Sequence, residues 1–278
     1  MLNLHLVLLP RRIPYQRAGK ALAKETRIEV VPDGTHKVTV VGRDLVFYWP
    51  AAISNNLHYT IDQEFNPGNP HHYTTPPIEL TSQSLVLDVG ACEGLFAFRA
   101  VRQKLAARVI CFEPSPRNVR YARLAAQQNR AAEQVTIERL AVGKSAGRFR
   151  FVEDDTAPDG HSVVQGEGQP EASMVDCVTL DEYCASKGIR LGRRDLIKID
   201  AEGSDLDVLL GAERLIRNDA PQIAVTTYHK PEHASLIVDF LKSIQPAYRL
   251  RLKGFSSWNP VPTPVLLQAA LPREQTDG

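Results

Sequence analysis

The stretch Leu85-Val86-Leu87-Asp88-Val89-Gly90-Ala91-Cys92-Glu93-Gly94 constrains this chain more than any other. An apolar run that ends in an acid and passes at once into a glycine-containing loop is how a parallel strand delivers a nucleotide-like ligand to the start of a helix. Glycine suits such a loop because backbone can approach a ligand where a Cβ would block it. The segment after it, residues 95–103, reads as the helix, with its first N–H groups turned to the ligand. The spacing is Asp-x-Gly-x-x-x-Gly, and Cys92 stands where dinucleotide enzymes keep the glycine that admits a pyrophosphate. The expected ligand therefore has an adenosine but no pyrophosphate, as S-adenosylmethionine does. An NAD-dependent oxidoreductase is disfavoured on the same ground.

A second apolar run, Val109-Ile110-Cys111-Phe112, ends in Glu113. Glu113 lies about 20 residues beyond the loop, the spacing expected of a ribose-diol acceptor. A carboxylate has two oxygens, one for each ribose hydroxyl. Alone, a strand-end glutamate would be read as a solvated cap; the loop in register before it favours the ribose role.

The chain has 278 residues, enough for one large α/β domain with additions. Its formal net charge of +1 offers no footprint for a polyanion, so neither nucleic acid nor a membrane surface is expected as a partner. Cys92, Cys111, Cys177 and Cys184 form no CxxC pair and no metal spacing. They read as reduced thiols in a cytoplasmic protein. The apolar opening, residues 1–10, is too short to span a bilayer, and Arg11 and Arg12 follow it where a signal peptide would carry its charge first.

From residue 85 onward strands alternate with helices. Strands are predicted at 85–89, 108–113, 134–140, 196–200, 222–228, 248–252 and 264–269. Ser115 and Pro116 supply a cap and a first-turn proline for a helix over 117–129. Ser204, with Asp205 and Asp207 behind it, opens a helix whose apolar face is Leu206, Leu209, Leu210 and Ile216. Pro231 opens another, carrying Ile237, Phe240, Leu241 and Ile244. This rhythm predicts an α/β fold: a doubly wound, Rossmann-like, mostly parallel sheet covered on both faces. The last two strands are joined without a helix, at 254–263, and are expected to pair antiparallel at one edge, giving seven strands. Residues 1–80 form an N-terminal extension, with a small β element from 28–31 and 38–48 and an irregular, His- and Pro-rich stretch at 55–77. Residues 81–278 form the ligand-binding domain, with an insertion near 146–178. There, strands at 147–152 and 174–180 flank a polar loop, 153–173. Both polar segments are expected to form a mobile cover over the acceptor site.

The ordered series LVLDVGACEGLFAF, VICFEPSPRNVRYARLAAQQN, VTIERLAVGKSAGRFRF, VTLDEYC, DLIKIDAEGSDLDVLLGAERLI and IAVTTYHKPEH resembles the FkbM family of S-adenosylmethionine-dependent methyltransferases, over roughly residues 80–270. The resemblance implies a class I methyltransferase fold with an antiparallel edge hairpin. It also implies S-adenosylmethionine as methyl donor and, most often, O-methylation of a hydroxyl on a small molecule such as a sugar or another natural product; carboxylates are occasional acceptors. Carried over by position, Asp88, Gly90, Ala91, Glu93 and Gly94 would line the methionine end and the ribose, with Cys92 a small buried thiol among them. Glu113 would take the ribose hydroxyls, Pro114 and Ser115 would flank the adenine, and Leu140 and Ala141 would cover its other face. Asp200, Glu202 and Gly203 would stand beside the transferred methyl group.

Methyl transfer from a sulfonium is an in-line displacement, and an alcohol needs a base or a metal to become a competent nucleophile. Asp200 and Glu202 are two positions apart, so an extended chain points both to one side. His229 follows the next parallel strand, on the same sheet edge. His229 is therefore the expected base, as a neutral imidazole, with Asp200 orienting the site and Glu202 beside it. The bland readings are a capping turn at 202–204 and a helix-preceding polar residue at His229. A divalent metal held by Asp200, Glu202 and His229 suits the ligand types, and the sequence leaves it open. Glu64, Tyr73 and Tyr228 are expected to line the mouth for a small-molecule acceptor. His71 and His72, adjacent in extended chain, point apart and are not expected to hold a metal. A non-catalytic S-adenosylmethionine-binding protein is the alternative function, and a homodimer is compatible with the sequence.

Overall fold

The computed structural model describes residues 25–50, 57–152, 162–164, 173–256 and 261–272. The apolar opening, residues 51–56 and nearly all of the 153–173 loop lie outside the described residues. Strands β1 (Thr26–Val30), β2 (His36–Val40) and β3 (Leu45–Trp49) precede helix α1 (Leu57–Phe65). Then come β4 (Leu85–Val89), α2 (Leu95–Arg102), β5 (Arg108–Phe112), α3 (Pro116–Gln128) and β6 (Val135–Glu138). The insertion contributes β7 (Ala141–Val142), β8 (Gly147–Val152), β9 (Ser162–Val164) and β10 (Ser173–Val178). The chain closes with α4 (Leu180–Lys187), β11 (Leu196–Ile199), α5 (Asp205–Leu210), α6 (Glu213–Asp219), β12 (Gln222–Thr226), α7 (His233–Ile244), β13 (Arg249–Phe255) and β14 (Pro264–Ala270).

Seven strands form one sheet in the order β13-β14-β12-β11-β4-β5-β6. β12, β11, β4, β5 and β6 are parallel, while β14 pairs antiparallel with both β12 and β13. The expected edge hairpin is therefore present. The chain runs outward from β4 through β5 and β6, then returns to β11 on the other side of β4. Strand order reverses between β4 and β11, and that is where an open α/β sheet leaves a ligand crevice.

Alternation along the strands divides the core. Val86, Val109, Cys111, Leu196 and Ala224 face a cluster with Phe96 and Phe98 of α2 and Tyr121 of α3. Leu87, Val89, Ile110, Phe112, Ile197, Ile199, Ile223 and Val225 face the opposite cluster, with Tyr183 of α4, Ile216 of α6 and Leu241 of α7. Two apolar faces explain why these strands read as continuous apolar runs. Strands β1–β3 make a separate antiparallel sheet whose Val38, Val40, Leu45 and Phe47 join the first cluster. Asn129, at the C-terminus of α3, pairs with β3 as a strand would: its Oδ1 accepts the Val46 N–H (2.9 Å) and its Nδ2 donates to the Val46 carbonyl (2.6 Å).

Two expectations change. The helix read across 204–216 is two helices, interrupted at Gly211 and Ala212, and glycine is a weak helix interior. The stretch 55–77, read as irregular, contains α1. Residues 66–79 are tied to the sheet by side-chain hydrogen bonds. Gln268 Nε2 donates to the Tyr73 and Thr75 carbonyls (2.9 and 3.0 Å), and Lys253 Nζ donates to the His72 carbonyl (2.9 Å). Gln222 accepts the Glu79 N–H (2.6 Å) and donates to the Glu79 carbonyl (2.9 Å). Polar side chains of β12, β13 and β14 thus satisfy a backbone that lacks ladder partners of its own.

Candidate functional site

The loops after β4 and β11 touch. Gly90 has φ +72°, and a Cβ there would stand 1.8 Å from the Asp200 carbonyl oxygen. At Gly94, φ is +84° and a Cβ would come within 2.7 Å of the Phe98 ring. Contact of chain with chain requires glycine at both positions, and Gly90 also lines the cavities described below. Cys92 is also left-handed, at φ 47°, a conformation uncommon outside glycine and found where surroundings force it. The force here is Glu113: its Oε2 accepts the Cys92 N–H and its Oε1 accepts the Ser115 N–H, both at 2.9 Å. Each oxygen keeps a second lone pair. Burial pushes the Glu113 carboxyl up to about 7, so hydroxyl donors reaching it would favour its ionised form.

Two cavities open on this edge. The first, about 530 Å³, is lined by Gly90, Phe112, Glu113, Pro114, Leu140, Ala141 and Phe151 among others. The second, about 710 Å³, is lined by Trp49, Glu64, Tyr73, Ala91, Glu93, Phe96, Lys198 and Tyr228 among others. Gly90, Cys92, Asp200 and Glu202 line both, so the cavities meet there.

Beneath the junction lies a fully buried ion pair. Lys198 Nζ stands 2.9 Å from Asp88 Oδ1 and donates to the Gly90 carbonyl at 2.8 Å. The two residues are register partners on adjacent strands. Burial works against the Lys198 charge, but Asp88 and Asp200 outweigh it and hold its pKa above the ordinary value. Asp88 lines neither cavity; it fixes Lys198, and Lys198 fixes the start of the loop.

Four residues meet at the other side of the junction. β11 ends at Ile199, before Asp200. Asp200 and Glu202 converge because Glu202 turns left-handed, at φ 46°, and not because strand alternation aligns them. His229 Nε2 lies 3.5 Å from Asp200 Oδ1 and 3.3 Å from Glu202 Oε2, while Nδ1 lies 2.8 Å from Asp205 Oδ2. Tyr73 donates its hydroxyl to Asp200 Oδ2 at 2.6 Å. Asp205 is fully buried. Its Oδ1 accepts the Ala201 N–H and the Thr226 hydroxyl, both at 2.9 Å, and its Oδ2 accepts the Gly203 N–H at 3.2 Å. The acid expected only to open a helix therefore organises the whole turn.

His229 does not match the neutral imidazole expected from the sequence. Burial opposes its charge, but the hydrogen bond to Asp205 and the Glu202 and Asp200 carboxylates beside Nε2 outweigh that and push it up to about 11. The folded value lies above the ordinary 6.5. Stability drawn from this charge is therefore fully present below about pH 6.5 and shrinks as pH rises toward about 11. The kcat/KM profile is expected to show no rising limb near pH 6.5 from this residue. A His229 ring-proton NMR titration midpoint between pH 6 and 7 would contradict the assignment.

Of the residues singled out in the sequence, Glu113, Pro114, Leu140 and Ala141 share the first cavity. Ala91, Glu93, Glu64, Tyr73 and Tyr228 share the second. Gly94, Gly203 and Ser115 line neither; Ser115 caps α3, its Oγ accepting the Asn118 N–H at 3.1 Å. Lys198, Asp205, Trp49, Phe96 and Phe151 were not anticipated. A lysine inside the apolar strand Leu196–Ile199 was the one available signal, because a buried charge needs a partner. Asp200, Asp205 and His229 each offer a donor atom within 4.8 Å of the others, the arrangement that could hold a cation. His71 and His72 do not join it: the His72 ring bonds Gln63 and Thr74, and the His71 ring stacks edge-on against Tyr228.

Residues 88–249, more than half of the chain, match the family model described as the Methyltransferase FkbM domain. The fold is similar to methyltransferase FkbM from Methylobacillus flagellatus KT, with a TM-score of 0.52 at 19% identity, over 92% of this chain and 59% of that one. The chain thus spans 59% of that protein's length. Weaker similarities include the O-methyltransferase from Bacillus cereus in complex with SAH, with a TM-score of 0.42 at 12% identity, over 96% of this chain and 94% of that one. Precorrin-6y C5,15-methyltransferase from Geobacter metallireducens GS-15 aligns with a TM-score of 0.42 at 12% identity, over 70% and 84%. No curated protein sequence matches the chain. Among the described residues, no helix is long and apolar enough to cross a membrane.

Proposed function

Since the chain belongs to the FkbM methyltransferase family, we propose that it is an S-adenosylmethionine-dependent O-methyltransferase acting on a hydroxyl of a small molecule. The observation that carries the reading is the pair Asp200 and Glu202, which lines both cavities at their junction. The first cavity fits an adenosine: Glu113 offers lone pairs for a ribose diol, and Phe112, Pro114, Leu140 and Phe151 supply apolar surface for a flat ring. The junction fits a sulfonium, because Asp200 and Glu202 bring negative charge there. Bound in this way, the donor supplies an electrophilic methyl carbon to whatever nucleophile the second cavity presents.

The chain's own residues orient the acceptor and take its proton. Tyr73 and Thr226 both bond Asp200, which fixes that carboxylate as a positioning group. Glu202 is the base: its carboxylate is 29% exposed, lines both cavities and is steadied by His229. His229, already protonated, cannot accept a proton and instead sets its positive charge between Glu202 and Asp200. The imidazolium also supplies the positive charge that a divalent metal at these donors would bring. Turnover is accordingly expected to persist in chelator; chelator inactivation reversed by a divalent ion would put a metal in that place.

Calorimetry tests the cofactor assignment. S-adenosylmethionine and S-adenosylhomocysteine should bind and NAD should not. Glu113→Ala should weaken both adenosyl ligands by about 1.5–3 kcal/mol, the range for hydrogen bonds to a charged group. Tight NAD binding with no response to either adenosyl ligand would overturn the reading.

A further inference from the structure

We propose that Lys198 receives the carboxylate of the donor's methionine tail in the second cavity; this rests on the methyltransferase reading above. The argument is one of reach and partners. With the adenosine in the first cavity and the sulfonium at the junction, the tail continues past Gly90, Ala91, Cys92 and Glu93, which line the second cavity. That tail ends in an ammonium and a carboxylate. The acids around the junction suit the donor's positive charges and repel its carboxylate. The N–H groups of residues 90–94 are already spent within the protein. Those of Gly90 and Ala91 bond the Phe112 carbonyl (3.0 and 3.2 Å), that of Cys92 bonds Glu113 (2.9 Å), that of Glu93 bonds its own carboxyl, and that of Gly94 bonds the Ala91 carbonyl (2.8 Å). The loop that the tail passes therefore leaves its carboxylate to a side chain.

Lys198 is the one cationic side chain among that cavity's lining residues. Its ammonium has three N–H groups. One serves the Gly90 carbonyl at 2.8 Å and one serves Asp88 Oδ1 at 2.9 Å. The third remains, on a nitrogen that stands 5.1 Å from the centre of the Tyr73 ring and 6.0 Å from that of Phe96, two rings of the same cavity wall. Asp88 offsets the cost of burying the charge, and the Gly90 carbonyl ties the ammonium to the loop along which the tail runs. A carboxylate set there completes a charge-assisted hydrogen bond. The lysine is thus a recognition group for the donor as well as a brace for its loop. It distinguishes a tail with a free carboxylate from one without.

Calorimetry on the wild type compares S-adenosylhomocysteine with its carboxamide, which keeps the shape of the tail and loses the negative charge. The carboxylate form is expected to bind about tenfold or more tighter, as a charge-assisted hydrogen bond implies. Failure to bind either ligand overturns the cofactor reading and this proposal with it; equal binding of the two overturns the proposal alone. The paired substitution Asp88→Asn with Lys198→Met removes both buried charges at once, so neither is left unpaired. It is expected to abolish the preference while binding 5′-methylthioadenosine, which has no amino acid tail, with close to the wild-type affinity. A double variant that keeps the preference would place the carboxylate on the first N–H groups of α2 and overturn the proposal. Equal losses for S-adenosylhomocysteine and 5′-methylthioadenosine would do the same, because Lys198 would then only brace the loop. The wild-type comparison needs no substitution, so the proposal stays open to refutation if the double variant does not fold.

Discussion

Glu202→Gln is expected to lower turnover by about 10²–10⁴-fold while leaving S-adenosylhomocysteine affinity close to that of the wild type. Glutamine keeps the shape beside His229, but it cannot take a proton. Glu202 stands at the junction of the cavities, in a left-handed turn that directs its carboxylate toward His229 Nε2 at 3.3 Å. The rival base, Asp200, is held by the Tyr73 hydroxyl at 2.6 Å and by the Thr226 hydroxyl at 3.2 Å, which makes it a fixed orienting group. Single-turnover kinetics on a true acceptor separates the two. A Glu202→Gln enzyme that transfers methyl at the wild-type rate, beside an inactive Asp200→Asn enzyme, would move the base to Asp200.

Asp205→Ala should destabilise the fold by about 3–5 kcal/mol, the cost of removing one partner of a buried charged pair. Burial opposes the Asp205 charge, but hydrogen bonds from His229 and the Ala201 N–H, with the His233 ring 3.5 Å away, outweigh it and hold the carboxyl far below the usual range. Its removal leaves the His229 charge facing fewer acids and strips acceptors from the Ala201 and Gly203 N–H groups and the Thr226 hydroxyl. The turn that carries Glu202 would lose its anchor together with the stability. Urea unfolding with and without S-adenosylhomocysteine measures this. A loss under about 1 kcal/mol, the scale of a surface pair, would show that Asp205 is not the keystone of the turn.

The sequence by itself determined the sheet. Parallel strands buried on both faces must be apolar throughout, so 85–89, 196–200 and 222–228 announced themselves, and the missing helix between the last two strands announced the antiparallel edge. It also determined the polar residues at the strand ends, because parallel strands deliver their C-terminal residues to one edge: Glu113, Asp200 and His229 do lie there. The second cavity was partly legible, in that Glu64, Tyr73 and Tyr228 all reach it. The tertiary structure alone decided what these residues are. Gly90 is a glycine because the Asp200 carbonyl occupies the place of its Cβ, a contact between loops 110 residues apart in sequence. Asp88 pairs with Lys198 and lines neither cavity, because register sets the two opposite each other on neighbouring strands. His229 is an imidazolium because Asp200, Glu202 and Asp205 surround it, and the pKa of a buried group is set by what stands within a few ångströms, whatever its distance along the chain.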